Sequence, residues 1–120
     1  MQRAMEWVAT GRLFGAAEAH EAGLVRSIHE PDELLPAACA LAAEIAAHTA
    51  PVSVALSRQL MWRMLGEPHP LAAHLLDSRL MSELGGGPDA AEGIESFLAR
   101  RLPRFPGRVS ADLPESYPWW

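Results

Sequence analysis

Proline and glycine cut the middle of this chain into helix-length pieces, and that punctuation limits what it can fold into. Pro31 suits the first position of a helix, where its missing N–H loses no partner, and Asp32 and Glu33 favour the positive end of the same helix. Leu34, Ala38, Leu41, Ile45 and His48 then recur at helical spacing, widened by Leu35 and Ala42, until Pro51 closes the run. Alanine is frequent on this stripe, so a partner helix can approach closely. Residues 52–65 carry Val52, Leu56, Gln59 and Arg63 on one side and Val54, Met61 and Leu65 on another. So broad an apolar surface predicts cover on more than one side, and Gly66 and Pro68 end the helix. Residues 71–84 read as a third helix presenting Ala72, Leu75, Leu76, Leu80 and Leu84, with Asp77 and Arg79 facing water. Gly85, Gly86 and Gly87 follow as a flexible joint. A glycine run before a helix can cradle phosphate, but no strand leads into this one and no Gly-Lys-Ser/Thr follows, so it reads as a hinge.

The ends of the chain are less regular. Residues 1–10 read as the last turns of a helix, with Ala4, Met5, Trp7 and Val8 on one side and Gly11 as the residue after its end. A chain rarely begins inside an uncapped helix, so a preceding segment is expected. Residues 12–14 form a short extended connector, residues 15–21 a short helix stopped by Gly23, and residues 24–28 a brief strand. The two extended pieces could pair as a minimal ribbon, too small to be stable alone. After Pro103 the chain carries Pro106, Pro114 and Pro118, which leaves no room for regular structure. Tyr117, Trp119 and Trp120 are costly to leave in water, at about 25 cal/mol per Å² of apolar area, and are expected to pack on a neighbouring surface. The organisation is therefore residues 1–30 (helix end, short helix, connector), residues 31–108 (helical) and residues 109–120 (tail), in a mainly α chain.

Residues 88–107, PDAAEGIESFLARRLPRFPG, carry the strongest hint of function. Asp89 and Glu92 stand three apart, the spacing of an N-cap and an N3 carboxylate, and predict a helix start. Ala90, Ile94, Phe97, Leu98 and Arg101 follow a 3.6-residue period that places Phe97 among the buried positions. Arg100, Arg101, Arg104 and Arg108 follow at once, in a chain with 15 acidic and 10 basic residues and a net charge of -5. An aromatic ring beside four guanidinium groups is a candidate site for a phosphorylated, ring-bearing ligand. Cations also suit the negative end of a helix, and on the residues alone both readings stand.

Composition removes other function classes. The acidic balance argues against general nucleic-acid affinity. With no lysine, there is no Schiff-base or general-base lysine chemistry. Cys39 lies in an apolar periodic segment without a histidine in helical register, and reads as a small core residue. No apolar run approaches the roughly 20 residues of a membrane span, and no secretory signal is evident, so the expected setting is cytoplasmic, with no membrane partner. His74, Asp77 and Ser78 fall at i, i+3 and i+4, but side chains projecting radially from one helix cannot relay a proton in sequence. His69 and His74 are poorly spaced for a metal and no carboxylate or Cys completes a site. His20 and His29 read as ordinary polar surface. Glu92 is assigned to the cap and Glu95 to solvent, so no acid/base pair assembles.

Ordered motifs over about a hundred residues resemble the enoyl-CoA hydratase/isomerase (crotonase) family, in its C-terminal portion. AMEWVATGRLFGAAEAHEAGLV is similar to the family's A-x-E-x-x-x-T-G-x-x-x-x-A-x-E-A-x-x-x-G-L-V. Later, Arg58 stands where members usually have Lys. Asp89, Glu92, Gly93, Phe97, Arg100, Arg101, Pro103 and Phe105 match D-x-x-E-G-x-x-x-F-x-x-[KR]-R-x-P-x-F. The ending resembles that of actinobacterial members. The resemblance implies the helical trimerisation segment of a crotonase-like α/β spiral fold, with at most the two-strand ribbon. It implies an acyl-CoA substrate, no tightly bound cofactor, no metal, and a homo-oligomer (trimer or dimer of trimers) or association with a crotonase core. In the family, two backbone N–H groups polarise the thioester and one or two carboxylates move protons, in a part that precedes the matched one. By resemblance, then, the chain holds no catalytic group and is inactive alone. What carries over is the edge of the coenzyme A site, with Phe97 and Arg100 at the adenine and phosphate end, often across a subunit boundary. A stand-alone helical interaction module without catalysis is the alternative.

Overall fold

The computed structural model describes residues 1–118. Its helices are α1 (Gln2–Thr10), α2 (Ala16–Glu21), α3 (Pro31–His48), α4 (Pro51–Met64), α5 (Leu71–Leu84) and α6 (Pro88–Leu98). The chain divides into two compact units, one spanning Met1–Leu41 and the other beginning at Ala42.

In the first unit, α1 stops at Gly11, whose φ of 62° is the left-handed conformation glycine adopts without steric cost. Trp7 stacks on Phe14, with ring centroids 4.0 Å apart and planes 12° from parallel. Its indole N–H donates to Glu18 Oε1 at 2.9 Å. Arg12 sits between two carboxylates, donating to Glu6 Oε1 at 2.9 Å and to Glu18 Oε2 at 3.0 Å, and Arg3 reaches Glu21 at 3.1 Å. Ala19 is the buried hydrophobic residue here, so polar contacts and one ring stack hold α1 to α2.

The brief strand over residues 24–28 does not form. The Leu24 N–H is drawn back to Ala19 C=O at 2.9 Å in the cap of α2, and Gly23, at φ 75°, turns the chain. Phe14, on the other extended piece, is taken up by Trp7. Among the described residues there is no strand, and the ribbon is absent.

Along α3 no residue is buried: Leu34 is 57% exposed and Ile45 44%. Among the described residues the stripe legible in the sequence is left largely exposed. Cys39 is exposed with it, not a core residue.

The core of the second unit lies between α4 and α5. Pro51 opens α4 at its first position and Ala50 takes the extended backbone that a following proline favours. Val52, Leu56 and Leu60, four apart, meet Leu76, Leu80 and Leu84, also four apart. The row therefore continues to Leu60, not to Gln59 and Arg63. Leu75 stays 61% exposed, while Met61, Trp62 and Leu65 lie bare, so α4 is covered on one side only. Leu113 and Tyr117 from the tail complete the cluster, and Ser116 Oγ donates to Glu83 Oε2 at 2.6 Å. Tyr117 thus packs as anticipated; Trp119 and Trp120 lie outside the described residues.

Candidate functional site

The turn into α6 is tight. Gly85 and Gly87 donate to Met81 and Leu84 C=O, each at 2.9 Å, and a Cβ on Gly85 would stand 2.6 Å from the Met81 oxygen. Glycine is required by close backbone approach, not only by a need for flexibility. Gly87 is the N-cap and Pro88 the first helical residue, so Asp89 does not cap the helix.

Both carboxylates of the expected capping box do other work: they hold the chain that returns from the far end of α6. Asp89 Oδ1 accepts the Gly107 N–H at 2.8 Å. A Cβ on Gly107 would sit 2.9 Å from Asp89 Cγ, which is why the approach needs glycine. Glu92 receives a fork from Arg101, Nη1 to Oε1 at 2.6 Å and Nη2 to Oε2 at 2.8 Å, and accepts the Arg104 N–H on Oε1 at 2.5 Å. The Arg101 guanidinium, then the Arg104 N–H, hold the Glu92 carboxyl down at about 2. Glu95 is 76% exposed and lies 3.5 Å from Arg101.

This return segment decides which face of α6 is covered. It lies over the small residues: Ser96 is 4% exposed and Phe105 approaches Gly93, whose Cβ would be 3.8 Å from the ring. Ile94, Phe97 and Leu98 are left outward, and Phe97 is 82% exposed. The reading that buried Phe97 by periodicity is thereby corrected. Period alone gives two faces, and the folding back of residues 101–107 covers the small one.

Arg100 follows the last turn. Its N–H donates to Phe97 C=O at 3.2 Å and that of Arg101 to Ser96 C=O at 3.0 Å, the bond pair of a left-handed C-terminal cap. Arg100 accordingly has φ 52°, a conformation usually left to glycine. Its guanidinium makes no hydrogen bond or ion pair among the described residues, in contrast to Arg101, which is consumed by Glu92. Phe97 and Arg100, three positions apart, are both exposed at one helix end.

A concavity of about 510 Å³ lies between α4, α5 and the start of α6, lined by Val52, Leu56, Leu80 and Leu84 with Asp77, Asp89 and Asp112 among its polar members. Apolar walls and carboxylates disfavour a phosphate there. His74, Asp77 and Ser78 are all exposed on α5. Among the described residues no group of three His, Cys, Asp or Glu side chains could hold a metal ion, and no single helix is long and apolar enough to cross a membrane.

Comparison with known proteins fits a segment of this kind. The enoyl-CoA hydratase/isomerase family pattern matches residues 1–108. An enoyl-CoA hydratase of Alternaria alternata is 36% identical over 104 residues, which are 86% of this chain and 34% of that protein. The (E)-benzylidenesuccinyl-CoA hydratase of Thauera aromatica is 37% identical over 105 residues, 87% of this chain and 40% of that one. The crystal structure of an enoyl-CoA hydratase from Mycobacterium marinum superposes with a TM-score of 0.79 at 31% identity, covering 89% of this chain and 42% of the other. The chain thus spans well under half the length of these relatives. With its motifs, its helical architecture and its whole first 108 residues in agreement, the chain belongs to the enoyl-CoA hydratase/isomerase family.

Proposed function

We propose that these residues form the coenzyme-handle and assembly segment of an enoyl-CoA hydratase/isomerase-type protein. In its full setting that protein acts on a fatty or related acyl-CoA thioester, by hydration or by a double-bond shift, in the cytoplasm. Phe97 offers a face to the adenine ring and Arg100 a planar guanidinium to the phosphates, which it can bind through two parallel N–H bonds. The ligand is a substrate and not a resident cofactor. The observation that carries this reading is the pairing, at the end of α6, of an 82% exposed phenyl ring with a guanidinium that no carboxylate occupies.

The 120 residues are inactive alone in this reading, because no acid/base pair assembles among the described side chains: Glu92 is consumed by Arg101 and Glu95 lies in solvent. Purified chain should give no turnover of an enoyl-CoA, and turnover by material of the intact mass of these 120 residues would overturn the claim. Titration with adenosine 3′,5′-bisphosphate tests the handle, which Phe97→Ala and Arg100→Ala should each weaken.

The bare faces of α3 and of the α4 end favour a partner. Either copies of the chain in a trimer or dimer of trimers, or a crotonase core, would cover them, and the coenzyme site then lies across a subunit boundary. A non-catalytic interaction module rests on the same faces. A stable complex indifferent to coenzyme A would favour the module, and light scattering with and without coenzyme A separates the two.

A further inference from the structure

We propose that Glu92 is the positioning residue for Arg100: by fixing the chain at residues 101 and 104 it keeps Arg100 in the left-handed turn that leaves its guanidinium free at the end of α6. The proposal rests on the reading that Arg100 meets the ligand's phosphates.

Three features carry it. Arg100 occupies a position where φ is 52° and glycine is the usual resident, so its presence is locally disfavoured. Backbone held in such a region persists only when its surroundings over-determine it. Here the constraint is visible. Upstream of residue 100 stands α6 itself; downstream, both the Arg101 side chain and the Arg104 N–H return to Glu92 on that same helix. Residue 100 is bracketed and cannot relax to the right-handed region without breaking one of these bonds. Glu92 also sorts the arginines. The forked bond removes Arg101 from any ligand, and its side chain is 39% exposed against 14% for Glu92. The adjacent Arg100 is left free. One carboxylate thus supplies the constraint that holds the turn and removes the neighbouring competitor for the phosphate.

Two readouts test this on the full chain. The first is amide hydrogen exchange without ligand. In Glu92→Gln the N–H groups of Arg100 and Arg101, which donate to Phe97 and Ser96, should exchange faster, while that of Ala99, bonded to Glu95 inside the helix, should not change. The second is titration with adenosine 3′,5′-bisphosphate. Glu92→Gln should weaken binding roughly tenfold, and that loss should vanish when Arg100→Ala is already present. Should Glu92→Gln not fold, Arg101→Gln removes the other half of the fork and is read in the same way. Unchanged exchange at Arg100 and Arg101, or an equal loss of binding with and without Arg100, overturns the positioning role. Binding unaffected by Arg100→Ala instead overturns the phosphate reading on which it rests, a failure the exchange experiment does not share.

Discussion

Asp89 Oδ1 accepts the Gly107 N–H at 2.8 Å, joining the second residue of α6 to a backbone eighteen positions later and closing the return segment along the helix. A Cβ on Gly107 would crowd the carboxylate carbon to 2.9 Å. Gly107→Ala is therefore expected to destabilise the chain by about 1–3 kcal/mol, the usual range for overpacking. Asp89→Ala should cost about 1.5–3 kcal/mol through the lost charged hydrogen bond. Because both act on one contact, urea unfolding of the double variant should show less than the sum.

The two leucine rows give a sharper stability test. Leu56 is 2% exposed, and Leu56→Ala should cost about 2–5 kcal/mol. Leu75, which helical spacing in the sequence ranked with the core, is 61% exposed, and Leu75→Ala should stay within about 0.5 kcal/mol. Similar losses at both positions would mean that α5 packs in another register.

At residue 100 stability and binding should move in opposite directions. Arg100→Gly relieves the left-handed backbone and is expected to raise stability by roughly 0.5–1 kcal/mol, after the extra freedom glycine gives the unfolded chain. It should weaken adenosine 3′,5′-bisphosphate binding as Arg100→Ala does. Thermal unfolding and calorimetric titration of the same preparation read both.

The depressed carboxylates set an acid limit. Arg101 and then the Arg104 N–H hold Glu92 at about 2, and Arg12 and then Trp7 hold Glu18 at about 2, both below the ordinary 4.5. A carboxylate with a lowered folded-state value stabilises fully above its unfolded value, and that contribution fades as pH falls toward the folded one. The melting temperature should therefore drop between about pH 5 and pH 2. Glu92→Gln and Glu18→Gln should each flatten that drop, and a slope unaltered in both variants would remove these groups as its cause.

Much of the helical frame is legible in the sequence because proline and glycine act locally. Pro31, Pro51, Gly11 and Gly23 do in the structure what their backbone chemistry requires. The candidate site is legible by composition but not by geometry. Periodicity finds two faces of α6 and cannot say which one residues 101–107 will cover, so Phe97 reads as buried when it is bare. Asp89 and Glu92 have capping-box spacing, yet their partners lie 18 and 9–12 residues downstream, beyond any local rule. A glycine directly after Pro106, where no turn demands a positive φ, was the available signal of a close approach.

The tail carries a practical consequence. The family pattern ends at residue 108, yet Leu113 and Tyr117 belong to the Val52–Leu56–Leu80 cluster and Ser116 is tied to Glu83. The family pattern and the packed core thus have different boundaries in this chain. Cutting it where the family pattern ends would open the α4–α5 core, and any grafting of this segment onto a homologous catalytic part should carry the residues that the pattern leaves out.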